Sequence, residues 1–193
     1  MLMIGLGIGL ASVAGIRAFM PLALATLLFQ VGLIEPNSAY ANIGPDGSWW
    51  AATGVLWVLA GLEIFLDKLR ALERVFNIAM APVRAFSGGL LFTWAVGADL
   101  DVGSLPWLVV GAVIAGIVAV LKVVLRPRAS LRPAGVSTRS LSVFEDVVAL
   151  VGAVVGFFVP LLPVLPVAFL FFFFFRINKR RGKKYGGLRI LSD

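Results

Sequence analysis

The chain has 193 residues and a net charge of +7, and 60% of its residues are hydrophobic while only 14% are charged. Because soluble domains carry about 25% charged residues, this composition excludes an ordinary water-soluble fold. The absence of cysteine and histidine also excludes disulfides, thiol or histidine catalysis and Cys/His metal or haem sites, so we expect no cofactor.

Long apolar runs predict an all-α polytopic bundle with about six membrane crossings. The first run, Met1–Ile34, exceeds the roughly 20 residues that one helix needs to cross a bilayer, and we expect a break near Gly15–Pro21. Two interpretations stay open: a half-helix or re-entrant piece over Leu2–Ile16 before a crossing over Ala18–Ile34, or one long kinked helix. The next crossings are predicted at Trp49–Leu66, from Ile78 or Pro82 to Val96, and at Leu105–Leu125.

The last apolar run contains Pro160, Pro163 and Pro166 in its middle, where proline disrupts helical hydrogen bonding. We therefore expect a hairpin of two short crossings, Leu141–Val159 and Val164–Phe175. The transmembrane domain then covers residues 1–178, and a basic tail covers 179–193. Pairs of small residues at four-residue spacing favour close helix packing within one chain and leave a homo-oligomer as the alternative. These pairs are Gly5/Gly9, Gly111/Ala115 and Gly152/Gly156.

Charges of opposite sign occupy different connections. Two connections contain acids without bases, namely Glu35, Asp46, Asp99 and Asp101, and another contains bases without acids, namely Arg126, Arg128, Arg132 and Arg139. This positive-inside pattern predicts that the basic connections and both termini are cytoplasmic in a bacterial inner membrane. It favours topology over nucleic-acid binding, and we expect the basic tail to contact anionic lipid headgroups.

Ionisable residues gather where the predicted crossings reach the cytoplasmic side. Arg17 is the leading functional candidate, because its apolar run continues on both sides and a guanidinium in lipid needs a partner or a water-filled cavity. Glu63 and Asp67 share a helix face at i,i+4 spacing, where like charges need neutralising cations. The candidate ion- or substrate-binding residues are Arg17, Glu63, Asp67, Lys68, Arg84, Lys122, Glu145 and Asp146.

A structural alternative is an interfacial belt of salt bridges that orients the helices. We favour this belt for Lys68, Arg70, Glu73, Arg74 and Arg126, although Lys68 also stays an available cation for the acids. Both interpretations stay open for the three candidates that lie about a turn or more inside their apolar runs, which are Glu63, Arg84 and Lys122.

A metal site is a further alternative. Intramembrane prenyl and lipid-phosphate transferases use two acidic clusters to hold Mg²⁺ on a diphosphate, and Glu63-x3-Asp67 with Glu145-Asp146 could imitate that arrangement. The spacing is not specific, and nearby bases would compete with the metal.

Four short motifs accompany these charges: Gly15-Ile16-Arg17-Ala18-Phe19 with Pro21, Leu62-Glu63-x3-Asp67-Lys68, Pro82-x-Arg84 before Gly88-Gly89, and Glu145-Asp146. With these motifs the chain resembles, over most of its length, a bacterial family of integral membrane proteins known as domain of unknown function 4126. The resemblance implies the helical membrane architecture and marks these positions. It implies no activity, since the family brings none that is established.

The leading hypothesis is therefore the passage or binding of a small ion, an anionic solute or a lipid headgroup. Arg17 and Arg84 would supply positive potential, while Glu63 and Asp67 would pair with them or change protonation during gating. A Mg²⁺-dependent lipid-phosphate enzyme and a non-catalytic scaffold are the alternatives, and we favour a function that is not enzymatic.

Overall fold

The computed structural model describes residues 2–34, 48–69, 73–97, 103–126 and 137–186. Within these ranges the chain is entirely helical and has no strand, which confirms the all-α prediction. The helices are α1 (Leu2–Ile16), α2 (Phe19–Gln30), α3 (Ser48–Asp67), α4 (Glu73–Ala79), α5 (Ala81–Gly97), α6 (Ser104–Leu125), α7 (Thr138–Phe158) and α8 (Val164–Gly186). Several charged residues discussed above lie outside the described ranges, namely Glu35, Asp46, Arg70, Asp99, Asp101, Arg128 and Arg132.

Among the residues that the structure describes, three helices are long and apolar enough to cross a membrane. They cover Trp50–Asp67 in α3, Ser104–Leu125 as the whole of α6, and Arg139–Phe158 in α7. Shorter apolar helices cover Leu2–Ile16, Phe19–Gln30 and Val164–Ile177. Large apolar side chains are exposed along one face of α6, at Val109, Val113, Ile117, Val120 and Val124. A continuous exposed apolar surface marks a lipid or protein contact, so the helices and their outer faces indicate a membrane protein.

Helix α1 lies at the centre of the bundle and packs against α5, α6, α7 and α8. Small residues allow this close packing, because a Cβ atom added to Gly15 would lie 2.5 Å from the Val118 side chain of α6. The same holds between α5 and α6, where a Cβ added to Gly88 would lie 2.3 Å from the Ala115 Cβ. The small residues therefore hold helices together within one chain, as expected.

The first apolar run folds as two helices that run in opposite directions. Helix α1 begins beside the turn between α7 and α8, where the Leu161 amide donates a hydrogen bond to the Gly5 carbonyl oxygen at 3.3 Å. It ends at Arg17, and α2 then runs back until Phe29 lies against Trp94, with ring centroids 5.4 Å apart. The break expected near Gly15–Pro21 thus lies at Arg17–Ala18 and reverses the chain, which rules out one long kinked helix.

The turn between α7 and α8 covers residues 159–163, where the prolines predicted a break. Pro166 is tolerated in the first turn of α8, where the backbone N–H groups have no partner inside the helix. Helix α8 runs back along α7, since the Phe173 ring lies 5.3 Å from that of Phe144, near the start of α7. Of these two helices, α7 reaches the length and apolar character of a membrane span, whereas the apolar part of α8 is shorter.

The described chain begins and ends at opposite ends of the bundle. Helix α1 starts next to Leu161, at the far end of α7, whereas α8 ends beyond Phe173, near the start of α7. The reversal at Arg17 adds one passage of the chain along the bundle.

Candidate functional site

Nine ionised side chains meet where α1, α3 and α6 end and where α2, α5 and α7 begin. We call this set the ionic cluster. It contains the cations Arg17, Lys68, Arg84, Lys122 and Arg126 and the carboxylates Glu63, Asp67, Glu145 and Asp146. All eight predicted site residues therefore come together. Seven of the nine residues are buried, and only Lys68 and Asp146 keep partial exposure, with 26% and 15% of their side-chain surfaces exposed.

Glu63 holds the start of α2 and neutralises Arg84. Its Oε1 atom accepts hydrogen bonds from Arg84 Nη2 at 3.1 Å and from Arg84 Nε at 3.3 Å. Its Oε2 atom accepts the backbone N–H groups of Ala18 at 3.0 Å and Phe19 at 3.3 Å. The first N–H groups of a helix lack internal partners and attract negative charge. The Glu63 carboxylate therefore stabilises the chain reversal, which Ser87 also supports by donating to the Ala18 carbonyl oxygen at 2.5 Å.

Asp67 accepts hydrogen bonds from three side chains. Arg126 approaches it with Nη1 at 2.7 Å and Nη2 at 3.2 Å, a two-point contact in which the planar guanidinium matches the carboxylate. Arg17 Nη2 lies 2.8 Å from Asp67 Oδ2, and Asn77 Nδ2 lies 2.7 Å from Oδ1. Asn77 in turn accepts from Arg84 Nη1 at 3.0 Å, so it connects the Asp67 and Glu63 halves of the cluster.

Glu145 is paired with two cations from the end of α6. Lys122 Nζ lies 2.9 Å from Glu145 Oε2, and Arg126 Nε lies 3.1 Å from Oε1. Lys122 Nζ also donates to the Ile16 carbonyl oxygen at 3.1 Å. Because the last carbonyl groups of a helix attract cations, Lys122 stabilises the end of α1 directly beside Arg17.

Arg17 uses its donors unevenly. Its Nη2 atom lies 2.6 Å from Asp146 Oδ1, 2.8 Å from Asp67 Oδ2 and 3.0 Å from Ser142 Oγ, with Glu145 Oε2 further away at 3.9 Å. These are more acceptors than the two N–H bonds of Nη2 can serve. Its Nε and Nη1 atoms are buried and have no hydrogen-bond partner in the described part of the chain. Arg17 thus presents unused N–H donors inside the cluster.

Asp146 connects Arg17 to the surface. Its Oδ1 atom contacts Arg17, while its Oδ2 atom lies 2.8 Å from Lys68 Nζ. Asp146 and Lys68, which are both partly exposed, cover the buried Arg17.

Each carboxylate of the ionic cluster lies beside at least one of its cations. Charges interact more strongly in the protein interior than in water, so these pairs hold the helix ends of the cluster together.

The structure differs from the sequence analysis at three residues, Arg126, Asn77 and Ser142. The sequence favours an interfacial belt for Arg126, but Arg126 is only 8% exposed and bonds Asp67 within the cluster. Asn77 and Ser142 were missed, because neutral polar side chains give no charge signal. The i,i+3 spacing of Ser142 and Glu145 on α7 was the available hint. Arg74 is exposed as the belt predicts, and the side chain of Glu73 is not described.

The arrangement of cations gives the metal interpretation no support. Arg126 contacts both Asp67 and Glu145, and Arg17 contacts both Asp67 and Asp146. Guanidinium groups thus lie between the carboxylates, where a Mg²⁺ ion would have to bind. Throughout the described ranges, no three Asp, Glu, His or Cys residues are grouped so that they could hold a metal ion.

A family model matches residues 4–180, a range that includes every member of the ionic cluster. The chain belongs to the family described as Domain of unknown function (DUF4126). The match confirms the resemblance drawn from the sequence motifs. No curated protein and no solved structure matches the chain. Membership in DUF4126 supplies no specific function, so any function has to be argued from the cluster.

Proposed function

We propose that this membrane protein binds a small anionic group at the ionic cluster and allows its passage, the group being a free anion or an anionic lipid headgroup. The observation that carries the proposal is that Arg17 is fully buried while its Nε and Nη1 atoms have no hydrogen-bond partner in the described part of the chain.

Leaving these donors of Arg17 unused is unfavourable. Its Nε and Nη1 atoms are enclosed and bond no described residue, and an unsatisfied buried donor costs about 1–3 kcal/mol, or more when it is charged. An anion that accepts from these donors removes this cost. Arg17 is therefore the residue on which we place the bound group.

The break between α1 and α2 supports passage in addition to binding. At 1.5 Å per residue, α1 and α2 are only about 22 and 18 Å long, which is less than the ~30 Å hydrocarbon core of a bilayer. Short helices that are interrupted next to a charged site are a feature of membrane transporters. The interruption here is Arg17–Ala18, directly at the ionic cluster.

We further infer that the cluster faces the cytoplasm of a bacterial inner membrane. The connection between α6 and α7 leaves and re-enters at this end and contains arginines without any acid, and Arg176 and Lys179 are exposed further along α8. Basic segments stay on the cytoplasmic side during insertion. In this topology α1 begins toward the outer side and ends at the cytoplasmic ionic cluster.

The test is the effect of anions on unfolding of the purified protein in detergent, because a ligand that binds only the folded state raises the free energy of unfolding by RT ln(1 + [L]/Kd). We expect at least one of chloride, nitrate, acetate and phosphate to raise the midpoint of the wild type with the logarithm of its concentration above Kd. Arg17→Gln should abolish the response and Arg17→Lys should weaken it. Arg139→Gln is the matched control, since Arg139 is exposed and the charge change is the same.

Release of the same anion from proteoliposomes, followed with an ion-selective electrode, then tests passage. Release that depends on Arg17 supports a transport function, and saturable binding without release limits the function to binding. If no anion raises the midpoint, or if Arg17→Gln and Arg139→Gln respond alike, the cluster only orients helices and the proposal is wrong.

A further inference from the structure

The face of α2 that points away from the bundle core carries the two polar side chains of this helix. Met20, Leu24 and Ala25 lie in the hydrophobic core, whereas Thr26 and Gln30 lie on the opposite face of α2. Thr26 is nevertheless only 7% exposed. Helix α3 is the main neighbour of α2, so α3 covers this polar face.

The face of α3 that meets α2 is polar as well. The buried side chains described in α3 share one face of the helix and are Thr53, Ala60, Glu63 and Asp67. Glu63 accepts from the first amides of α2, including that of Phe19 at 3.3 Å, which places this face against α2. Two largely apolar helices therefore bring polar side chains together at their shared interface.

Gln30 and Thr53 lie at the same depth in this interface. The contact between Glu63 and the Phe19 amide fixes the register, because it joins the end of α3 to the start of α2. Gln30 lies eleven residues after Phe19, and Thr53 lies ten residues before Glu63. At 1.5 Å per residue, both are about 15 to 17 Å from that contact, toward the outer end of the two antiparallel helices.

Both residues have enclosed polar atoms that bond nothing in the described part of the chain. These atoms are Thr53 Oγ1 and Gln30 Nε2, and Thr53 is only 4% exposed. Thr26 differs, since its hydroxyl donates to the Ala23 carbonyl oxygen of its own helix at 3.1 Å. A buried donor without a partner is unfavourable. Unused donors are thus present at this pair as well as at Arg17.

Resting on the proposed function, we propose that Gln30 and Thr53 form an outer station for the small anion that Arg17 binds. The amide N–H₂ group and the hydroxyl both donate, so they fit a ligand that accepts hydrogen bonds. The pair carries no charge and therefore holds an anion more weakly than a guanidinium does. Passage requires such weak sites, because an ion that is held too tightly does not leave. Arg17 lies at the other end of the same interface, next to the Ala18 amide that bonds Glu63.

The test compares the rate of anion release from proteoliposomes with the shift of the unfolding midpoint by the same anion. The probe is whichever of chloride, nitrate, acetate and phosphate the wild type releases fastest. Thr53→Val and Gln30→Leu remove the donors at similar size, and each should slow release about tenfold, the effect of one lost hydrogen bond. The midpoint shift should stay at the wild-type level, because Arg17 is intact. Thr53→Ser keeps the hydroxyl and should release at the wild-type rate.

Two further variants separate the station from general effects of packing and charge. Thr93→Val is the matched control, because Thr93 is also buried but its hydroxyl donates to the Gly89 carbonyl oxygen of its own helix at 2.9 Å. This variant should leave release unchanged. Gln30→Glu keeps the shape, removes the donors and adds a negative charge, so it should slow anion release more than Gln30→Leu does.

The results separate this inference from the proposed function. Slower release with an unchanged midpoint shift supports the station. Normal release in Thr53→Val and Gln30→Leu, with release lost in Arg17→Gln, overturns the station and leaves the proposed function standing. Equal slowing in Thr93→Val, faster release in Gln30→Glu, or a wild type that binds without release also overturns the station. A wild type with neither a midpoint shift nor release overturns both proposals.

Discussion

Replacing Asp67 by asparagine is the sharpest test of how the cluster holds the bundle together. Asp67 has no exposed surface and accepts four hydrogen bonds, two from Arg126 and one each from Arg17 and Asn77. Asparagine keeps the shape but removes the charge, and it turns an N–H₂ group toward a guanidinium. Removing one partner of a buried ion pair costs about 3–5 kcal/mol, so we expect Asp67→Asn to reduce the free energy of unfolding by that amount.

The assay is unfolding in detergent micelles followed by tryptophan fluorescence, with Lys68→Gln as the control. Lys68 also loses an ion pair, but its side chain is 26% exposed, and pairs near the surface contribute about 0–1 kcal/mol. In the double variant with Arg126→Gln, the two losses should be less than additive, because both substitutions remove the same ion pair. Equal losses of less than about 1 kcal/mol for Asp67→Asn and Lys68→Gln would refute the reasoning, since a solvated Asp67 would then be indicated.

Two further predictions concern the packing that positions the cluster. Gly88→Ala should destabilise the fold by about 1–3 kcal/mol through overpacking, because its Cβ would lie 2.3 Å from the Ala115 Cβ. Gly61→Ala has open space around the added Cβ and should stabilise α3 by up to about 1 kcal/mol. Unfolding in detergent measures both changes, and two changes of the same sign would contradict the packing. Leu161 has a φ of 66° and donates its N–H to Gly5. Leu161→Gly should therefore be neutral or stabilising. Leu161→Pro should destabilise the fold by about 3 kcal/mol, because proline fixes φ near −65° and removes the N–H donor. Equal unfolding midpoints for the two variants would count against the strained turn.

Most members of the ionic cluster were predictable because a charged side chain in an apolar environment needs a counter-charge or water. Arg17 lies inside an apolar run, and Glu63 with Asp67 forms an uncompensated acidic pair on one helix face. Each of these residues needs a partner of opposite charge in a membrane. The sequence therefore indicated eight of the nine members of the cluster, and the structure brings these eight together with Arg126.

The direction of α1 was not predictable from the same information. Leu2–Ile16 is apolar on all sides, so its pattern does not say whether the chain continues or reverses at Arg17. The reversal depends on the Glu63 carboxylate bonding the Ala18 and Phe19 amides, which is a contact between residues about 45 positions apart. Burial of Arg126 likewise depends on its contact with Glu145 of α7, whereas its local sequence is that of a residue at a helix end.

The most direct test of the account is a crystal structure of the protein grown in a lipid phase and soaked in selenate, with anomalous data collected at the selenium edge. Selenate has the oxyanion geometry of phosphate and gives a signal that water does not. The account predicts an anomalous peak whose oxygen atoms lie about 3 Å from Arg17 Nε or Nη1. Peaks confined to exposed bases such as Arg176 and Lys179 would contradict it.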